Sequence, residues 1–370
     1  MDISANSSNR SRSVIAVDPA LAITDVMNLL AKALAHQGPA LNFTDDEITE
    51  VDSHICLIVA TTGSSGAKKS VALTSAALLA STRASLEFLH ALPGQTWALL
   101  LPIHHIAGIN VLIRSLELGT TPVDLRNADK YPITDFSAVV PTQIYRALNG
   151  DVDLLAHLKS AQSVLVGGAK LDEVLLSQAL DAGISIVRTY GMSETSGGCI
   201  YEGTPLKGVD LRISDTGLIE ISGSVLASGY IGNDELWSQL CDGQWFTTPD
   251  RGEIAGDGTL KVLGRADDVY VTGGEKVSLV QVDEILSQAF PSHQWSSIAV
   301  EDAQWGQRLV IAVGGADHPA LDQINNELAT RIGSFAKAKQ LLAFDQLPTI
   351  GIGKIDRVQI KEKAEEIHNG

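Results

Sequence analysis

A stretch rich in glycine, hydroxyl and lysine residues has the composition of a phosphate-binding loop. It reads TTGSSGAKKS over residues 61–70 and follows an apolar run, residues 55–60, that is typical of a buried strand. Glycines let backbone N–H groups curl around an anion, hydroxyls add donors, and lysine adds charge. Gly63 and Gly66 stand too close together for a Walker A loop, which has four residues between its glycines. Taken alone, the stretch fits a surface loop better than a phosphate site.

The order of this loop and several later segments resembles the adenylate-forming superfamily of acyl-CoA synthetases. In the family's phosphate loop, Lys68 replaces a proline and Ser70 replaces the final glycine. We therefore expect a less rigid loop whose basic pair attracts pyrophosphate more strongly. The resemblance implies that the matching residues bind ATP, namely Thr61, Thr62, Gly63, Ser64, Ser65, Gly66 and Lys69.

A second segment, TYGMSET, resembles the family's Y-G-x-T-E. The resemblance implies that Tyr190 stacks on adenine with Gly191 beside it. It also implies that Ser193 places a hydroxyl near the α-phosphate and that Glu194 helps to hold the Mg²⁺ of ATP. A carboxylate is the expected ligand for a hard cation that also binds phosphate oxygens. The alternative is that Glu194 is merely an exposed residue in a loop at a strand end. The presence of the other motifs in the same chain favours the metal-binding role over this alternative.

Two segments resemble the family's ribose site and hinge. WFTTPD stands where the family has W-x-x-T-G-D, which implies that Asp250 accepts hydrogen bonds from both ribose hydroxyls, an arrangement that suits a carboxylate. Pro249 replaces the family's glycine and leaves the local backbone geometry open. GRADD matches G-R-x-D-D, which implies that Arg265 also contacts the ribose and that Asp267 is the hinge.

Two segments near the C-terminus resemble parts of the family's mobile domain. TGGEKV, which contains Gly273 and Gly274, resembles the glycine-rich segment that lines the pantetheine tunnel for coenzyme A. GIGKIDR matches G-K-[IV]-x-R, which makes Lys354 the expected catalytic lysine of adenylation. Outside this order of motifs, GKIDR would indicate only a turn that enters a helix.

Two further segments resemble the acyl pocket. PIHHIAG resembles a P-x-x-H-x-x-G element in which a histidine or aromatic side chain walls the carboxylate substrate. His105 aligns better than His104, and a packed histidine without substrate contact is the alternative. Gly168 and Ala169 belong to a GGA that ends an apolar run and resembles the family segment between adenine and the acyl group.

The composition excludes several other classes of protein. The chain has 370 residues, with 27 Lys and Arg against 44 Asp and Glu, and a net charge of −17. Because 45% of residues are hydrophobic and 19% charged, we expect a folded, soluble protein. An acidic surface repels nucleic acid and anionic lipid, so we expect neither as a partner. No apolar run is long enough for a membrane span, and the three widely spaced cysteines indicate a reducing cytoplasm.

The chain shows three successive sequence patterns, which predict the elements that position these residues. From residue 53 to 190, apolar runs alternate with helical patterns, which predicts a mostly parallel, helix-covered sheet. The predicted strands are 55–60, 97–101, 137–140, 163–166 and 184–187, and the predicted helices are 75–92, 106–118 and 171–182. Short alternating stretches from 205 to 264, with Asp257-Gly258 as a hairpin turn, predict an antiparallel β region. A compact α+β pattern follows, whose last helix starts at Arg357.

We therefore predict an α/β adenylate-forming, acyl-CoA synthetase-like fold. Residues 1–264 would form an N-terminal adenylation core, with an α/β part at about 20–204 and a β subdomain at about 205–264. Residues 265–370 would form a small mobile α+β lid.

The resemblance implies a reaction in two halves. A small-molecule carboxylic acid would attack ATP, with Mg²⁺ bound, to give an acyl-adenylate and pyrophosphate, and the thiol of coenzyme A would then displace AMP after the lid rotates. Residues 190–206 and the short chain resemble a subgroup of short ligases whose acid has a second carboxylate, and Arg188 and Lys207 are the cations nearby in sequence. An acyl- or aryl-CoA ligase for another acid and a noncatalytic nucleotide-binding relative remain alternatives. The sequence does not indicate the oligomeric state.

Overall fold

The computed structural model describes residues 11–62, 68–128, 130–266, 268–272, 274–302, 306–315, 317–350 and 354–369. The strands in these segments are β1 (Ser11–Ala16), β2 (Ala40–Asn42), β3 (Glu50–Asp52), β4 (Ile55–Thr62), β5 (Lys68–Thr74), β6 (Trp97–Leu99), β7 (Val123–Asp124), β8 (Phe136–Val139), β9 (Ser163–Val166), β10 (Ile186–Met192), β11 (Gly197–Tyr201), β12 (Thr204–Pro205), β13 (Val209–Ile213), β14 (Leu218–Gly223), β15 (Gly229–Tyr230), β16 (Cys241–Asp242), β17 (Trp245–Ile254), β18 (Leu260–Arg265), β19 (Val269–Thr272), β20 (Glu275–Ser278), β21 (Gln294–Asp302), β22 (Gly306–Gly314), β23 (Gln340–Phe344), β24 (Thr349–Ile350) and β25 (Lys354–Ile355). The helices are α1 (Ile23–Leu34), α2 (Ser75–Phe88), α3 (Ile106–Leu118), α4 (Pro141–Leu148), α5 (Val152–Ser160), α6 (Glu173–Asp181), α7 (Asp234–Leu240), α8 (Leu279–Ala289), α9 (Leu321–Arg331) and α10 (Arg357–Asn369).

Local sequence signals define the ends of helices near the site. Thr74 caps α2 because its hydroxyl accepts the N–H of Ala77, and Asp172 caps α6 by accepting the N–H of Leu175. Helix α3 stops at Gly119, whose φ of +71° lies in the left-handed region that glycine adopts without a Cβ clash. The predicted helix over residues 106–118 is confirmed.

A six-stranded mixed sheet has the order β15-β5-β4-β2-β1-β3. Because β4 and β5 are antiparallel neighbours, the candidate phosphate loop connects a hairpin, although residues 63–67 lie outside the described segments. The prediction that residues 55–60 belong to the same parallel sheet as the later strands was wrong. The sequence concealed β5 because residues 70–73 are all buried and show no polar–apolar alternation.

A second sheet of seven strands has the order β12-β11-β10-β9-β8-β6-β7. Its strands β10, β9, β8, β6 and β7 are parallel, which confirms the predicted parallel sheet for this part of the chain. The predicted strand at 184–187 in fact begins at Ile186 and continues to Met192, so TYGM belongs to the strand rather than to a loop after it. The segments after β6 and β9 and the end of β10 meet at one edge of the sheet, where ligands bind in parallel α/β folds.

Two five-stranded sheets and one two-stranded ladder make up the rest of the described β-structure. In the first, β13, β14, β17, β16 and β18 are antiparallel, and Gly258, with φ of +86°, lies in the predicted hairpin between β17 and β18. Helix α7 interrupts this region and was not predicted. In the second, β20, β19, β22 and β21 are antiparallel and β23 adds to β22 in parallel. A two-stranded ladder joins β24 to β25.

Buried side chains form separate cores. One large cluster lies between the six- and seven-stranded sheets, and a second covers the opposite face of the seven-stranded sheet. Two further clusters consist of residues from Tyr270 onward. The predicted boundary between the two domains at residue 264 agrees with this separation of cores but stays a prediction. The expected hinge residue, Asp267, lies outside the described residues. No helix in the described segments is both long and apolar enough to cross a membrane.

Polar contacts join the C-terminal region to the core. Lys170, just after the GGA segment, forms an ion pair with Glu284 on α8. The hydroxyl of Tyr145 on α4 donates to the carbonyl of Ser292, with a distance of 3.5 Å between the oxygens. These contacts are exposed, so solvent screens them.

Candidate active site

The residues expected to bind adenine and ribose are hydrogen-bonded to each other. The hydroxyl of Tyr190, on β10, donates to Oδ2 of Asp250, on β17, at 2.8 Å. Burial raises the pKa of Asp250, while the Tyr190 hydrogen bond and the charge of Arg265 lower it. Burial and the Asp250 carboxylate raise the pKa of Tyr190 well above its ordinary value, so its hydroxyl stays protonated and remains a donor.

The backbone around Asp250 explains the unexpected Pro249. Asp250 pairs with Arg265 between β17 and β18, so the two expected ribose contacts are cross-strand neighbours. On the other side of β17, the register with β14 shifts between Thr247 and Arg251, which marks a bulge. Proline lacks an N–H and is tolerated at such interruptions of a sheet. Its carbonyl still accepts the N–H of Ala266 at 2.9 Å.

The expected Mg²⁺-binding carboxylate is held by a residue that the sequence did not single out. Glu194 is only 6% exposed, and Tyr230 donates its hydroxyl to Oε1 of Glu194 at 2.7 Å. Tyr230 lies on β15, which pairs with β5, and Nζ of Lys69 is 5.1 Å from the centre of its ring. Tyr230 thus connects the strand after the candidate phosphate loop to Glu194.

This donor set fits a magnesium ion that is bound together with a nucleotide. Among the described residues, no group of three His, Cys, Asp or Glu side chains could hold a metal by itself. Mg²⁺ in nucleotide sites usually takes one or two carboxylates and completes its coordination with phosphate oxygens and water. Glu194 offers one such carboxylate, with Oε2 left for the ion because Oε1 accepts the Tyr230 hydroxyl.

We expect Tyr230→Phe to raise the KM for Mg·ATP in adenylation by roughly tenfold, the effect of losing one hydrogen bond to a charged group. Glu194 would lose the donor that orients it, so Mg·ATP would bind a less ordered carboxylate. The measurement is pyrophosphate release against Mg·ATP concentration. Tyr270→Phe is the matched control, because the buried Tyr270 hydroxyl has no partner among the described residues. Equal effects in both variants would contradict the role of Tyr230.

His105 lies at the sheet edge with an unsatisfied nitrogen. It precedes α3, and its Nε2 is buried without a hydrogen-bond partner in the described part of the protein. Gly108 permits this arrangement, because a Cβ there would stand 2.2 Å from the carbonyl oxygen of Pro102. The buried nitrogen is consistent with the expected place of His105 in the acyl-pocket wall.

Lys354 enters the same cleft from the C-terminal region. Its charge interacts with those of Asp250, Glu194 and Arg265, and it also lowers the pKa of His105. Desolvation is the largest influence on Lys354 and lowers its pKa, although the side chain retains solvent contact in the cleft. The charge of Lys354 therefore interacts with four of the expected catalytic and nucleotide-binding side chains.

The pKa of His105 predicts how stability depends on pH. Burial, then the charges of His104 and Lys354, lower this pKa to about 4. An unfolded histidine titrates near pH 6.5, so between about pH 6.5 and pH 4 the unfolded chain binds one more proton than the native one and acid destabilises the fold. We expect His105→Gln to remove about 1–2 kcal/mol of the stability lost between pH 7.5 and 5. Urea unfolding at both pH values tests this, and identical losses in the two proteins would contradict it.

The GGA segment lies at the edge of the seven-stranded sheet. Gly168 and Ala169 follow β9 and are exposed at the site edge, and Gly168 has a φ of +79°. Glycine is required just before them, since a Cβ on Gly167 would lie 2.3 Å from Oγ1 of Thr189. On β10, Gly191 is equally constrained, because a Cβ would meet the carbonyl of Gly197 at 2.1 Å.

Some of the remaining expected site residues lie in the described segments and others lie outside them. Thr61 and Lys69 pair across the β4–β5 ladder on either side of the candidate phosphate loop, and Ser193 is buried in the turn before Glu194. Gly274 lies in the exposed turn between β19 and β20. The residues outside the described segments are Gly63, Ser64, Ser65, Gly66, Asp267 and Gly273.

The two cations that lie near residues 190–206 in the sequence are already paired. Arg188 donates from Nη2 to Glu202 at 2.7 Å and also approaches Glu173. Lys207 donates to Glu87 at 3.0 Å. Neither side chain offers an unpaired charge to a substrate.

Arg114 is a cation that the sequence analysis missed. It is 4% exposed, it lies on α3, and no carboxylate in the described segments forms an ion pair with it. Its Nη2 donates to the hydroxyl of Tyr201 at 3.2 Å, its guanidinium lies 5.0 Å from the ring of Trp97, and Nε has no partner among the described residues. A buried charge without a counter-ion is costly. The signal in the sequence is an arginine flanked by apolar residues, in the stretch VLIRSL of α3.

The fold and this cleft define a nucleotide-dependent acid-activating enzyme, and comparison with known proteins agrees. The profile of the AMP-binding enzyme family matches residues 5–230. The chain belongs to the AMP-binding enzyme family, and its fold is the adenylate-forming acyl-CoA synthetase fold.

More specific similarities point to one group of ligases. A protein of Mycobacterium tuberculosis (strain H37Rv), named a probable 2-succinylbenzoate–CoA ligase, is 37% identical over 329 residues, which cover 84% of this chain and 85% of that protein. Escherichia coli MenE with bound OSB-AMS superimposes with a TM-score of 0.73 at 24% identity, covering 94% of this chain and 81% of that one. The o-succinylbenzoate CoA synthetase of Bacillus subtilis, in complex with ATP and a magnesium ion, gives a TM-score of 0.72 at 18% identity, covering 95% and 84%. These structural similarities establish the fold.

Proposed function

We propose that this chain ligates o-succinylbenzoate to coenzyme A, as a short, actinobacterial-type o-succinylbenzoate-CoA ligase of menaquinone biosynthesis. The products are o-succinylbenzoyl-CoA, AMP and pyrophosphate, and the reaction passes through an acyl-adenylate. The observation that carries the chemistry is the convergence of Lys354 with Asp250, Glu194 and His105 in one cleft. The choice of acid rests on the similarity to named 2-succinylbenzoate–CoA ligases. We assign the reaction to the cytoplasm as part of this proposal.

In the first half-reaction, a carboxylate oxygen of the acid attacks the α-phosphorus of ATP, and the bond to the pyrophosphate oxygen breaks. Two anions must approach each other, so the site has to compensate negative charge. The ammonium of Lys354 supports this role because it faces the residues expected to bind ribose and metal. Asp250 and Tyr190, already hydrogen-bonded, would fix the nucleoside so that the α-phosphate meets the acid.

Magnesium bound with ATP, and held in part by Glu194, would neutralise charge on the phosphate oxygens. The protein's own contribution is to orient Glu194 through the Tyr230 hydroxyl and to place Lys69 beside the same ring. His105 would shield the acid from water at the edge of the sheet. Because its pKa is about 4, it stays uncharged at neutral pH.

The two carboxylates of o-succinylbenzoate require a cation besides those that act on ATP. We assign this role to Arg114, whose buried guanidinium lacks an ion-pair partner in the described segments. Helix α3 connects it to the acyl pocket, because the helix starts directly after His105. Pairing with a substrate carboxylate would offset the cost of its burial.

In the second half-reaction, the thiolate of coenzyme A attacks the acyl carbonyl and AMP leaves. We propose that the C-terminal region, residues 265–370, rotates about Asp267 and withdraws Lys354 for this step. The separate cores from Tyr270 onward and the exposed polar contacts with the core support such a movement. Gly273 and Gly274 would then line the path of the pantetheine arm.

One assay tests the proposed function. Purified protein is given ATP, Mg²⁺ and coenzyme A with o-succinylbenzoate, benzoate or a medium-chain fatty acid, and AMP is measured. We expect AMP to form fastest with o-succinylbenzoate and only when all substrates are present. Faster turnover of another acid would support the alternative of a different acyl- or aryl-CoA ligase. Binding of ATP without turnover of any acid would support a noncatalytic relative.

A further inference from the structure

The hairpin that carries Lys354 is short and needs support from outside itself. It consists of β24 and β25, in which Ile350 pairs with Lys354, and at its base Asp356 donates its N–H to the carbonyl of Pro348 at 2.8 Å. Two strands of two residues each have little stability of their own. Helix α10 starts at the next residue, Arg357, so the orientation of the hairpin depends on how this residue is anchored.

Arg357 is bound by two carboxylates from different elements. Its Nη1 donates to Oδ1 of Asp268 at 2.7 Å, and its Nη2 lies 3.4 Å from Oδ2 of Asp283. Asp268 directly precedes β19 and follows the candidate hinge position. Asp283 lies on α8, and its other oxygen accepts the N–H of Ser297 on β21 at 2.6 Å. The guanidinium therefore joins the base of the hairpin to the start of the C-terminal sheet and to the helix packed on that sheet.

The environment of Asp283 shows that this arrangement depends on the arginine. Burial raises the pKa of Asp283 to about 6, and the charge of Arg357 acts in the opposite direction. Without the guanidinium, the partly buried carboxyl would lose its counter-ion. A planar guanidinium can bond to two carboxylates at fixed angles, whereas an ammonium is a single point charge.

We propose that Arg357, held by Asp268 and Asp283, is a positioning residue that aims Lys354 at the nucleotide. This inference rests on the proposed role of Lys354 in adenylation and adds a requirement for its orientation. Arg357 is three residues from Lys354, just beyond the base of the two-residue ladder, so a tilt at its anchor moves the ammonium group. Small misplacements of a catalytic group cost large factors in rate.

A double-mutant cycle tests the proposal in the full-length protein. Pyrophosphate release with o-succinylbenzoate is measured for the wild type, Arg357→Met, Lys354→Ala and the double variant. We expect Arg357→Met to lower the kcat of adenylation about tenfold or more, with the KM for ATP changed less than twofold. In the Lys354→Ala background, Arg357→Met should cause no further loss, because the group that it positions is absent. Losses that multiply in the double variant would overturn the proposal.

Two controls separate positioning from general damage. Arg331→Met removes another arginine of the C-terminal region, one that pairs with Glu327 on its own helix, and adenylation should not change. Thioester formation from preformed acyl-adenylate should survive in Arg357→Met, since Lys354 is not needed there. Loss of that step to the same degree would overturn the proposal.

A milder pair of variants keeps the test decisive if Arg357→Met does not fold. Arg357→Lys and Asp268→Asn keep a similar shape, and both should lower the kcat of adenylation with little change in KM for ATP. Unchanged kcat in both would overturn the proposal. If the wild type turns over another acid and not o-succinylbenzoate, the proposed function fails, and the same cycle with that acid still decides the role of Arg357.

Discussion

Replacing Lys354 by alanine should lower the rate of pyrophosphate release by about a hundredfold to a thousandfold, the range found when one charge-stabilising group is removed from a reacting centre. The ammonium group interacts with the charges of Asp250 and Glu194, and partial desolvation makes its field stronger than it would be in water. Thioester formation from preformed acyl-adenylate should remain largely intact, because the charge developed there is on the acyl group.

The two half-reactions must be measured separately for this prediction to be informative. Pyrophosphate release reports the first half, and consumption of synthetic acyl-adenylate by coenzyme A reports the second. Lys361→Ala is the matched control, since Lys361 is an exposed lysine of α10 close to Glu365. An equal fall in both half-reactions for Lys354→Ala would show that the lysine has a structural role rather than the proposed one.

Replacing Arg114 by methionine should abolish discrimination in favour of the dicarboxylic acid while leaving the protein folded. We expect kcat/KM for o-succinylbenzoate to fall roughly a hundredfold, as when one member of a buried charge pair is removed. Turnover of 3-benzoylpropionate, which lacks the ring carboxylate, should change much less. Stability should be maintained or increased, because an unpaired buried charge is replaced by an apolar side chain of similar length.

This combination of outcomes separates recognition from packing. If Arg114 only braces Tyr201 and Trp97, its replacement should destabilise the fold and slow both acids alike. Arg188→Met serves as the control, because Arg188 is already paired with Glu202. Equal loss for both acids, together with a lower urea midpoint, would contradict the assignment of Arg114 to the second carboxylate.

Motifs with a local physical cause could be predicted from the sequence. The strand Ser163–Val166 is a short apolar run, and helix α3 has an apolar pattern that ends at Gly119, so both were predicted at their observed bounds. The start of α10 at Arg357 was predicted in the same way. In each case the residues that define the element are neighbours in the chain.

Features that depend on distant contacts could not be predicted. Strand β5 lacks alternation because both of its faces are buried, so only its partners β4 and β15 identify it. Tyr230 is 36 residues from Glu194, and nothing in its own segment indicates that its hydroxyl reaches that carboxylate. For Arg114, the sequence shows only a charged residue flanked by apolar ones. That no carboxylate in the described structure pairs with it is a result of three-dimensional packing.

The exposed ion pair between Lys170 and Glu284 is a direct contact between the core and the C-terminal region, so any coupling that it carries is small and falls as salt rises. Lys170 directly follows the exposed Gly168 and Ala169, and Glu284 is next to Asp283, which binds Arg357. Coupling free energies are reciprocal. If the adenosine moiety alters the GGA segment, it shifts the equilibrium between orientations of the C-terminal region relative to the core. Each orientation then differs in affinity for the nucleotide by the same factor. Exchange of AMP for a new ATP and the return of Lys354 to the active site would then depend on the same conformational equilibrium.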